Sequence, residues 1–173
     1  MDTAFDIKTE FLTDAELDAL AKHLDKYKEL HDREEYQSDF LKFVRHVWPS
    51  FITGNHHRIF AEKLEKVARG ELKRLIVNMP PRHTKSEFAS YLFPAWVMGQ
   101  APETKIIQAT HTAELAVGFG RKVKNLLDSD IYRDVFPDIQ LAKDAKASGR
   151  WSTDAGGEYY AVGVGGALAG RGA

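Results

Sequence analysis

The first part of the chain carries apolar residues at helical spacing. Thr13 and Glu16 have the spacing of a capping box, in which each side chain accepts a hydrogen bond from a backbone N–H group at a helix start. The apolar residues that follow are three or four positions apart: Leu17, Leu20, Ala21, Leu24 and Tyr27. This pattern predicts an amphipathic first helix, and the polar run at residues 32–37 is the linker that we predict after it.

The same spacing predicts two more helices. Apolar residues between about 38 and 47 form one side of a second helix, which ends at Trp48 because the residue before a proline avoids helical backbone angles. A third helix is predicted from about 55 to 69, and Gly70 is its C-terminal stop. The chain therefore begins with helices and reaches its first predicted strand only after residue 70.

The pattern changes at residues 74–90, RLIVNMPPRHTKSEFAS. The apolar run Leu75-Ile76-Val77 is typical of a strand that is buried on both faces. Pro80 and Pro81 end this strand because neither can donate a hydrogen bond to a neighbouring strand. A helix is predicted from Lys85, so the order is strand, tight loop and helix. Phosphate-binding loops are built in this order.

The chemistry of the loop suits a nucleoside triphosphate. Backbone N–H groups at a helix N-terminus bind phosphate oxygens, Lys85 is placed to reach the β- and γ-phosphates, and Ser86 is placed to bind Mg²⁺. The residues predicted to bind the nucleotide are Pro81, Arg82, His83, Thr84, Lys85 and Ser86. A simple polar turn is the alternative, because Lys-Ser pairs are common.

Two residues depart from the GxxxxGK[ST] pattern of such loops. Met79 and Thr84 stand where that pattern has glycine. A β-branched residue at positive φ costs roughly 1–3 kcal/mol. We therefore expect this loop to avoid positive φ at Thr84.

The remainder of the chain alternates strands and helices. We predict that the helix from Lys85 kinks or ends at Pro94, that residues 105–110 form a buried strand, and that a helix covers about 113–127. Its predicted inward residues are Leu115, Phe119, Val123 and Leu126. Segments 150–153 and 159–164 flank a turn at 154–157 and predict a hairpin. This order favours an α/β fold with a parallel sheet and crossover helices.

Composition and charge narrow the class of protein. The 173 residues are 43% hydrophobic and 28% charged and include no cysteine, as expected for one intracellular globular unit without disulfides. No apolar stretch approaches the ~18–20 residues of a membrane span. Residues 1–40 carry 12 acidic and 5 basic side chains, a net charge of −7, whereas residues 41–173 carry 13 and 19, a net charge of +6. The basic part is compatible with DNA, and the acidic part is either a partner surface or a solvated helix face.

From about His46 onward, the chain resembles the large terminase subunit of tailed bacteriophages, the ATPase that drives DNA into a procapsid. The resemblance extends to the last residue and is carried by several motifs in order. They are His56-His57, NMPPRHTKSE, FPAW at 93–96, KIIQAT, LAVGFGRKVKNLL, IYRDVFP, Trp151-Ser-Thr and GVGGALAGRGA at the end. Terminases also have a deviant loop with an early arginine and a late Lys-Ser/Thr pair, which Arg82, Lys85 and Ser86 match.

The resemblance implies an incomplete P-loop NTPase fold of the ASCE type, with a parallel sheet and flanking helices over residues 49–173 and a helical segment over residues 1–48. It implies ATP and Mg²⁺ as cofactors, a catalytic role for Arg82, and His57 and Arg58 near the adenine. For His57 and Arg58, the alternative is that each is a polar residue on an exposed face of the helix. Arg171, in Gly-Arg-Gly, matches an arginine that reaches the γ-phosphate of a neighbouring subunit. A solvated arginine in a loop is the alternative for Arg171.

The implied function is ATP-driven DNA translocation in a viral packaging motor. The implied partners are double-stranded DNA, the portal protein, the small terminase subunit and further copies in a ring on the procapsid, in the cytoplasm of an infected bacterium. We expect the acidic strand with the catalytic carboxylates, and a nuclease domain, beyond Ala173. The chain alone is therefore expected to bind nucleotide weakly, to be inactive as an ATPase and to be marginally stable. The alternatives are a helicase-like, nucleic-acid-stimulated ATPase and a non-catalytic interaction module with a vestigial loop.

Overall fold

A computed structural model describes residues 12–143 and 147–166 of the chain. In this part, α-helices and strands follow one another in a mixed α/β order. The helices are α1 (Asp14–Ser38), α2 (Phe40–Val47), α3 (Asn55–Ala68), α4 (Lys85–Glu87), α5 (Phe93–Gln100), α6 (Ala113–Leu127) and α7 (Asp130–Arg133), and a π-helical turn (Phe88–Leu92) joins α4 to α5. The strands are β1 (Lys105–Thr110), β2 (Arg150–Ser152) and β3 (Glu158–Gly163).

The three strands form a small mixed sheet in the order β1-β3-β2. β1 and β3 are parallel, with Lys105 opposite Glu158 and Thr110 opposite Gly163, and α6 lies in the connection between them. β2 and β3 are antiparallel neighbours across a short turn. The predicted strand at 105–110, the helix at 113–127 and the hairpin are therefore confirmed. The predicted parallel sheet is corrected to a mixed one, because β2 joins it antiparallel, whereas β1 and β3 have the predicted parallel pairing.

The predicted strand at Leu75–Val77 does not form. Residues 74–80 run without regular secondary structure, because no strand in the described chain lies beside them to supply hydrogen bonds. The segment nevertheless keeps the period of two that an extended chain has. Leu75, Val77 and Met79 pack against the core, whereas the intervening Ile76 is 89% exposed. Only one face of this segment is therefore covered by the core, whereas the apolar run predicted a strand that is buried on both faces.

The predicted linker at residues 32–37 is also wrong. Residues 32–37 continue α1 as far as Ser38, since Glu, Arg and Gln are good helix formers and Asp39 begins the next helix by accepting a hydrogen bond from the Lys42 N–H. Of the two outcomes predicted at Pro94, a kink or an end, the end does not occur, because the chain stays helical through this residue. In the π-helical turn before it, the Phe93 N–H donates to the Phe88 carbonyl, so the wider turn accommodates a residue that has no N–H of its own.

A single apolar core joins the N-terminal helices to the region of the loop. Phe40 from α2 is fully buried and contacts the rings of Phe88 and Trp96, with centroids 5.5 and 5.4 Å away. Residues on α6 contribute Val123 and Leu126 as predicted, but Leu115 is half exposed. Helix α2, with the partly buried Tyr36 at the end of α1, therefore shares its core with the segment that follows the loop.

Candidate functional site

The predicted phosphate-binding loop is a tight turn whose backbone is left-handed at two residues that are not glycine. Arg82 has φ 62° and Thr84 has φ 58° with ψ 9°. The expectation that the loop avoids positive φ at Thr84 is therefore wrong. Thr84 occupies the place of the second glycine in the GxxxxGK[ST] pattern and has the type of backbone conformation for which glycine is favoured.

A buried histidine from another helix holds Thr84 in this conformation. His57, near the start of α3, is 6% exposed, and its Nε2 lies 2.6 Å from the Thr84 hydroxyl oxygen. The Gly54 N–H donates to His57 Nδ1 at 2.8 Å, and the Thr84 hydroxyl donates to the His83 carbonyl at 2.7 Å. Every member of this chain of hydrogen bonds has a partner, which offsets the cost of positive φ at a β-branched residue.

The hydrogen bonds define the protonation state of His57. Because the Gly54 N–H can only donate, Nδ1 is the acceptor, and the single proton of the neutral ring is on Nε2, from which it is donated to Thr84. Burial lowers the pKa of His57, and the nearby His56 and His83 lower it further. The ring is therefore held neutral, and both of its nitrogens serve to position the loop. A contact between His57 and adenine stays a prediction.

Lys85 folds back over the loop that precedes it. Its Nζ donates to the Met79 carbonyl at 3.3 Å, so the ammonium group lies across the turn from the start of α4. Thr84 is the N-cap of α4 but makes no side-chain capping bond, because its hydroxyl is used by His57 and His83. The first-turn N–H groups of a helix have no partner within the helix. In α4 these N–H groups also have no side-chain cap, and Lys85 is the first residue of the helix.

The other predicted loop residues are exposed around this turn. Pro81, Arg82, His83 and Ser86 are all accessible to solvent, and Arg58 is exposed on α3. His83 Nδ1 donates to the Pro81 carbonyl at 2.8 Å, which closes the turn. The rings of His56 and His83 lie 5.7 Å apart, so α3 and the loop meet on the solvent side as well. The loop is thus surrounded by cationic and hydrogen-bond-donating groups, which favour an anion.

Phe88 packs the loop and α4 onto the core. This fully buried ring contacts Phe51, His57 and Phe60 at centroid distances of 5.5, 5.3 and 5.8 Å. It stacks on the same imidazole that binds Thr84, so burial of Phe88 and positioning of the loop depend on each other. The sequence singled out neither Phe88 nor the link from His57 to Thr84, because those partners are 27 or more residues apart.

The carboxylate on α4 is already in an ion pair. Lys122 of α6 lies 2.8 Å from the Glu87 carboxylate, and its ammonium group also lies over the Tyr91 and Phe119 rings at 5.6 and 5.8 Å. Glu87 therefore ties α4 to α6. In residues 12–143 and 147–166, no group of three or more His, Asp or Glu residues is arranged to hold a metal ion.

Some predictions lie outside the described residues or away from the loop. Arg171 falls within residues 167–173, which are not described, so its predicted role stays a prediction. A surface depression of about 490 Å³ lies beside β2 and is lined by residues of the hairpin, among them Arg150, Asp154 and Glu158. It includes no residue of the loop. Among the described helices, none has the length and apolar character that crossing a membrane requires.

Comparison of the chain with protein-family models, with curated proteins and with solved structures found no match in any of the three. The structure itself therefore defines the class, which is a mixed α/β chain. Its loop before α4 contains a left-handed turn that His57 supports by a hydrogen bond, and Lys85 and the start of α4 follow this turn directly.

Proposed function

We propose that this chain is a nucleotide-binding unit of the P-loop type, and that it belongs to a DNA-packaging ATPase of the terminase large-subunit kind. The observation that carries the proposal is the conformation of Thr84. At the position where the motif has glycine, the chain keeps the left-handed backbone that a glycine would provide, and it does so through a hydrogen bond from His57. A polar turn without a ligand gives no reason to retain that conformation at a β-branched residue.

The groups around Thr84 match the needs of a polyphosphate. The uncapped start of α4 offers backbone N–H groups, and Lys85 offers a positive charge on the same side of the turn. Its hydrogen bond to the Met79 carbonyl is 3.3 Å long, so exchanging it for a phosphate oxygen gives a shorter and charge-assisted bond. Ser86 follows at the position where this class of loop binds Mg²⁺.

Binding is the activity proposed for the chain itself. Hydrolysis needs one carboxylate that holds Mg²⁺ and another group that orients the attacking water. Glu87 is engaged by Lys122 and is not offered for either task. In this proposal, ATP turnover, the trans contribution of Arg171, and the partners named by the resemblance (double-stranded DNA, portal protein, small terminase subunit and a ring of copies) belong to the complete motor.

Titration with a fluorescent ATP analogue and Mg²⁺ tests the proposal. We expect saturable binding that pyrophosphate competes for better than adenosine does. Lys85→Ala removes charge-assisted hydrogen bonds of about 1.5–3 kcal/mol, so affinity falls roughly 10- to 100-fold. Lys73→Ala is the matched control, because Lys73 is an exposed lysine shortly before the loop. Absence of saturable binding, or equal affinity of the two variants, refutes the proposal.

A further inference from the structure

The N-terminal part of α1 makes no hydrogen bond or ion pair to the rest of the described chain. No residue of this 25-residue helix is buried, and within the described chain the hydrogen bonds and ion pairs of residues 14–31 are made inside the helix and its N-cap. Within the described residues, the hydrogen bonds from α1 to the body are made near the C-terminal end of the helix. There, Arg33 Nε donates to the Asp134 carbonyl at 2.8 Å, and Gln37 Nε2 donates to the Val135 carbonyl at 2.7 Å.

The exposed part of α1 carries an apolar stripe, which consists of Leu17, Leu20, Leu24 and Tyr27. These residues follow one another at intervals of three and four, as the a and d positions of a heptad do. Leu17, Leu24 and Tyr27 are 37%, 53% and 70% exposed, and Leu20 is half-buried. An ordered row of large apolar side chains in water is characteristic of an interaction surface, whereas isolated exposed apolar residues are ordinary.

The stripe faces away from the body of the protein. Leu24 and Arg33 are nine residues apart, which is about two and a half turns, so their side chains lie on opposite sides of the helix. Because Arg33 lies on the side that contacts the body, the apolar stripe lies on the opposite side. Closer packing of α1 against the body would therefore not cover the apolar stripe. We look for the segment that covers it outside the body.

The charge beside the stripe indicates the chemistry of that occupant. Asp14, Asp18 and Asp25 are all exposed and lie in one row along the same flank of the stripe, and none of them forms an ion pair within the described residues. The whole of α1 has eight acidic and four basic side chains, a net charge of −4. A second copy of α1 brings the same negative charge, and residues 1–11 contain three acidic residues and one basic residue. Neither complements the aspartate row.

We propose that the apolar stripe of α1 binds an amphipathic helix of another polypeptide, one that has apolar residues at heptad spacing and lysine or arginine along its flanks. The apolar seam supplies the attraction, and the aspartate row selects a basic partner over an acidic one. This surface includes no residue of the loop, and the proposal does not depend on nucleotide binding. The proposal therefore stands or falls separately from the function proposed above.

Fluorescence anisotropy with a designed helical peptide tests the proposal. The probe is a labelled peptide of about three heptads with leucine at a and d and lysine at e and g, whose charges oppose self-association. The matched peptide has glutamate at e and g. We expect the full chain to bind the basic peptide at micromolar concentration and the acidic peptide at least about tenfold more weakly.

Two variants of the chain locate the binding surface. Leu24→Asp places a charge in the middle of the stripe and is expected to weaken binding of the basic peptide by at least about tenfold. Leu30→Asp is the matched control, because Leu30 is 44% exposed on the same helix but lies roughly 120° around it from Leu24. Its affinity is expected to stay within about twofold of the parent, which is under 0.5 kcal/mol.

Several outcomes overturn the proposal. They are absence of binding to the basic peptide, equal affinity for the two peptides, and equal effects of the Leu24 and Leu30 substitutions. A dimer in sedimentation velocity that Leu24→Asp dissolves identifies a second copy as the occupant instead. Peptide binding that appears only after removal of residues 1–11 identifies the chain's own N-terminal residues as the occupant.

Discussion

Replacing His57 by phenylalanine separates its hydrogen bonds from its packing. The ring stays between Phe51 and Phe88, which lie 4.7 and 5.3 Å away, but both nitrogens are lost. The partly buried Gly54 N–H then has no acceptor, at a cost of about 1–3 kcal/mol, and the bond to Thr84 contributes about 0.5–1.5 kcal/mol more. We expect His57→Phe to lower the free energy of unfolding by about 2–3 kcal/mol, which lies within the range that these two costs span together.

Thermal and urea unfolding followed by circular dichroism measure this loss. For a chain of this size, about 2–3 kcal/mol corresponds to a melting temperature lower by roughly 4–12 °C. His56→Phe is the matched control, because His56 is the exposed neighbour on α3 and makes no hydrogen bond to the loop in the described structure. Equal shifts for the two variants refute the assignment of the cost to the hydrogen bonds of His57.

A double-mutant cycle tests whether His57 acts on Thr84 directly. Thr84→Val removes the hydroxyl but keeps a β-branched side chain, so the cost of the left-handed backbone is nearly unchanged. We expect a coupling energy of about 1 kcal/mol between His57→Phe and Thr84→Val. A value below about 0.3 kcal/mol, the ordinary error of additivity, contradicts a direct bond between them.

The same bonds predict how stability depends on pH. Burial holds the pKa of His57 in the folded chain below its usual value of 6.5, so as the pH falls the unfolded chain takes up a proton at a higher pH than the folded chain does. The contribution of neutral His57 is therefore fully present above about pH 6.5 and declines as the pH falls from there toward the lower pKa of the folded state. His57→Phe removes this component, and its stability is expected to change less than that of the parent between pH 7.5 and pH 5.5 (an interval of about 2 pH units).

Three substitutions away from the loop test the packing. Tyr132→Phe removes a buried hydroxyl that donates to the Ala95 carbonyl at 2.9 Å, and we expect a loss of about 1–2 kcal/mol in urea unfolding. Gly99→Ala places a methyl group 2.5 Å from the Phe136 ring and is expected to cost about 1–3 kcal/mol. Gly118→Ala, in the interior of α6, meets no atom within 4 Å and is expected to stabilise by about 0.5–1 kcal/mol. A destabilised Gly118→Ala, or a neutral Gly99→Ala, contradicts the packing described for these helices.

Elements with local signals could be predicted from the sequence with nearly their observed bounds. β1 and α6 were predicted at 105–110 and about 113–127, as the structure has them. The turn between them includes Thr112, whose hydroxyl accepts from the Leu115 N–H and caps α6. Prediction failed at residues 32–37, where a charged run suggested a linker. Charged and amide side chains of this kind are also good helix formers, so charge alone did not distinguish the two.

Features that depend on distant partners could not be predicted. Leu75–Val77 has the composition of a strand, but a strand also needs a neighbour with which to exchange hydrogen bonds, and composition does not reveal whether one is present. The φ of Thr84 was mispredicted for a related reason. Its intrinsic preference was assessed alone, whereas the hydrogen bond from His57 decides its conformation. His57 and the loop residues were singled out from the sequence, but the hydrogen bond by which His57 supports the loop was not.

The position of β1 at the edge of the sheet has a practical consequence for work with this protein. Within the described chain, β1 pairs only with β3, so the backbone donors and acceptors along its other side face no strand. Its sequence, KIIQAT, contains β-branched residues and no proline, and such an edge is a template for adding a strand from another molecule. Lys105 is the charged side chain on this strand, and it lies 3.7 Å from Glu158. Concentrated samples are therefore expected to form intermolecular sheet through this edge. Gln108→Lys, which adds a second charged side chain to β1, is expected to suppress this aggregation.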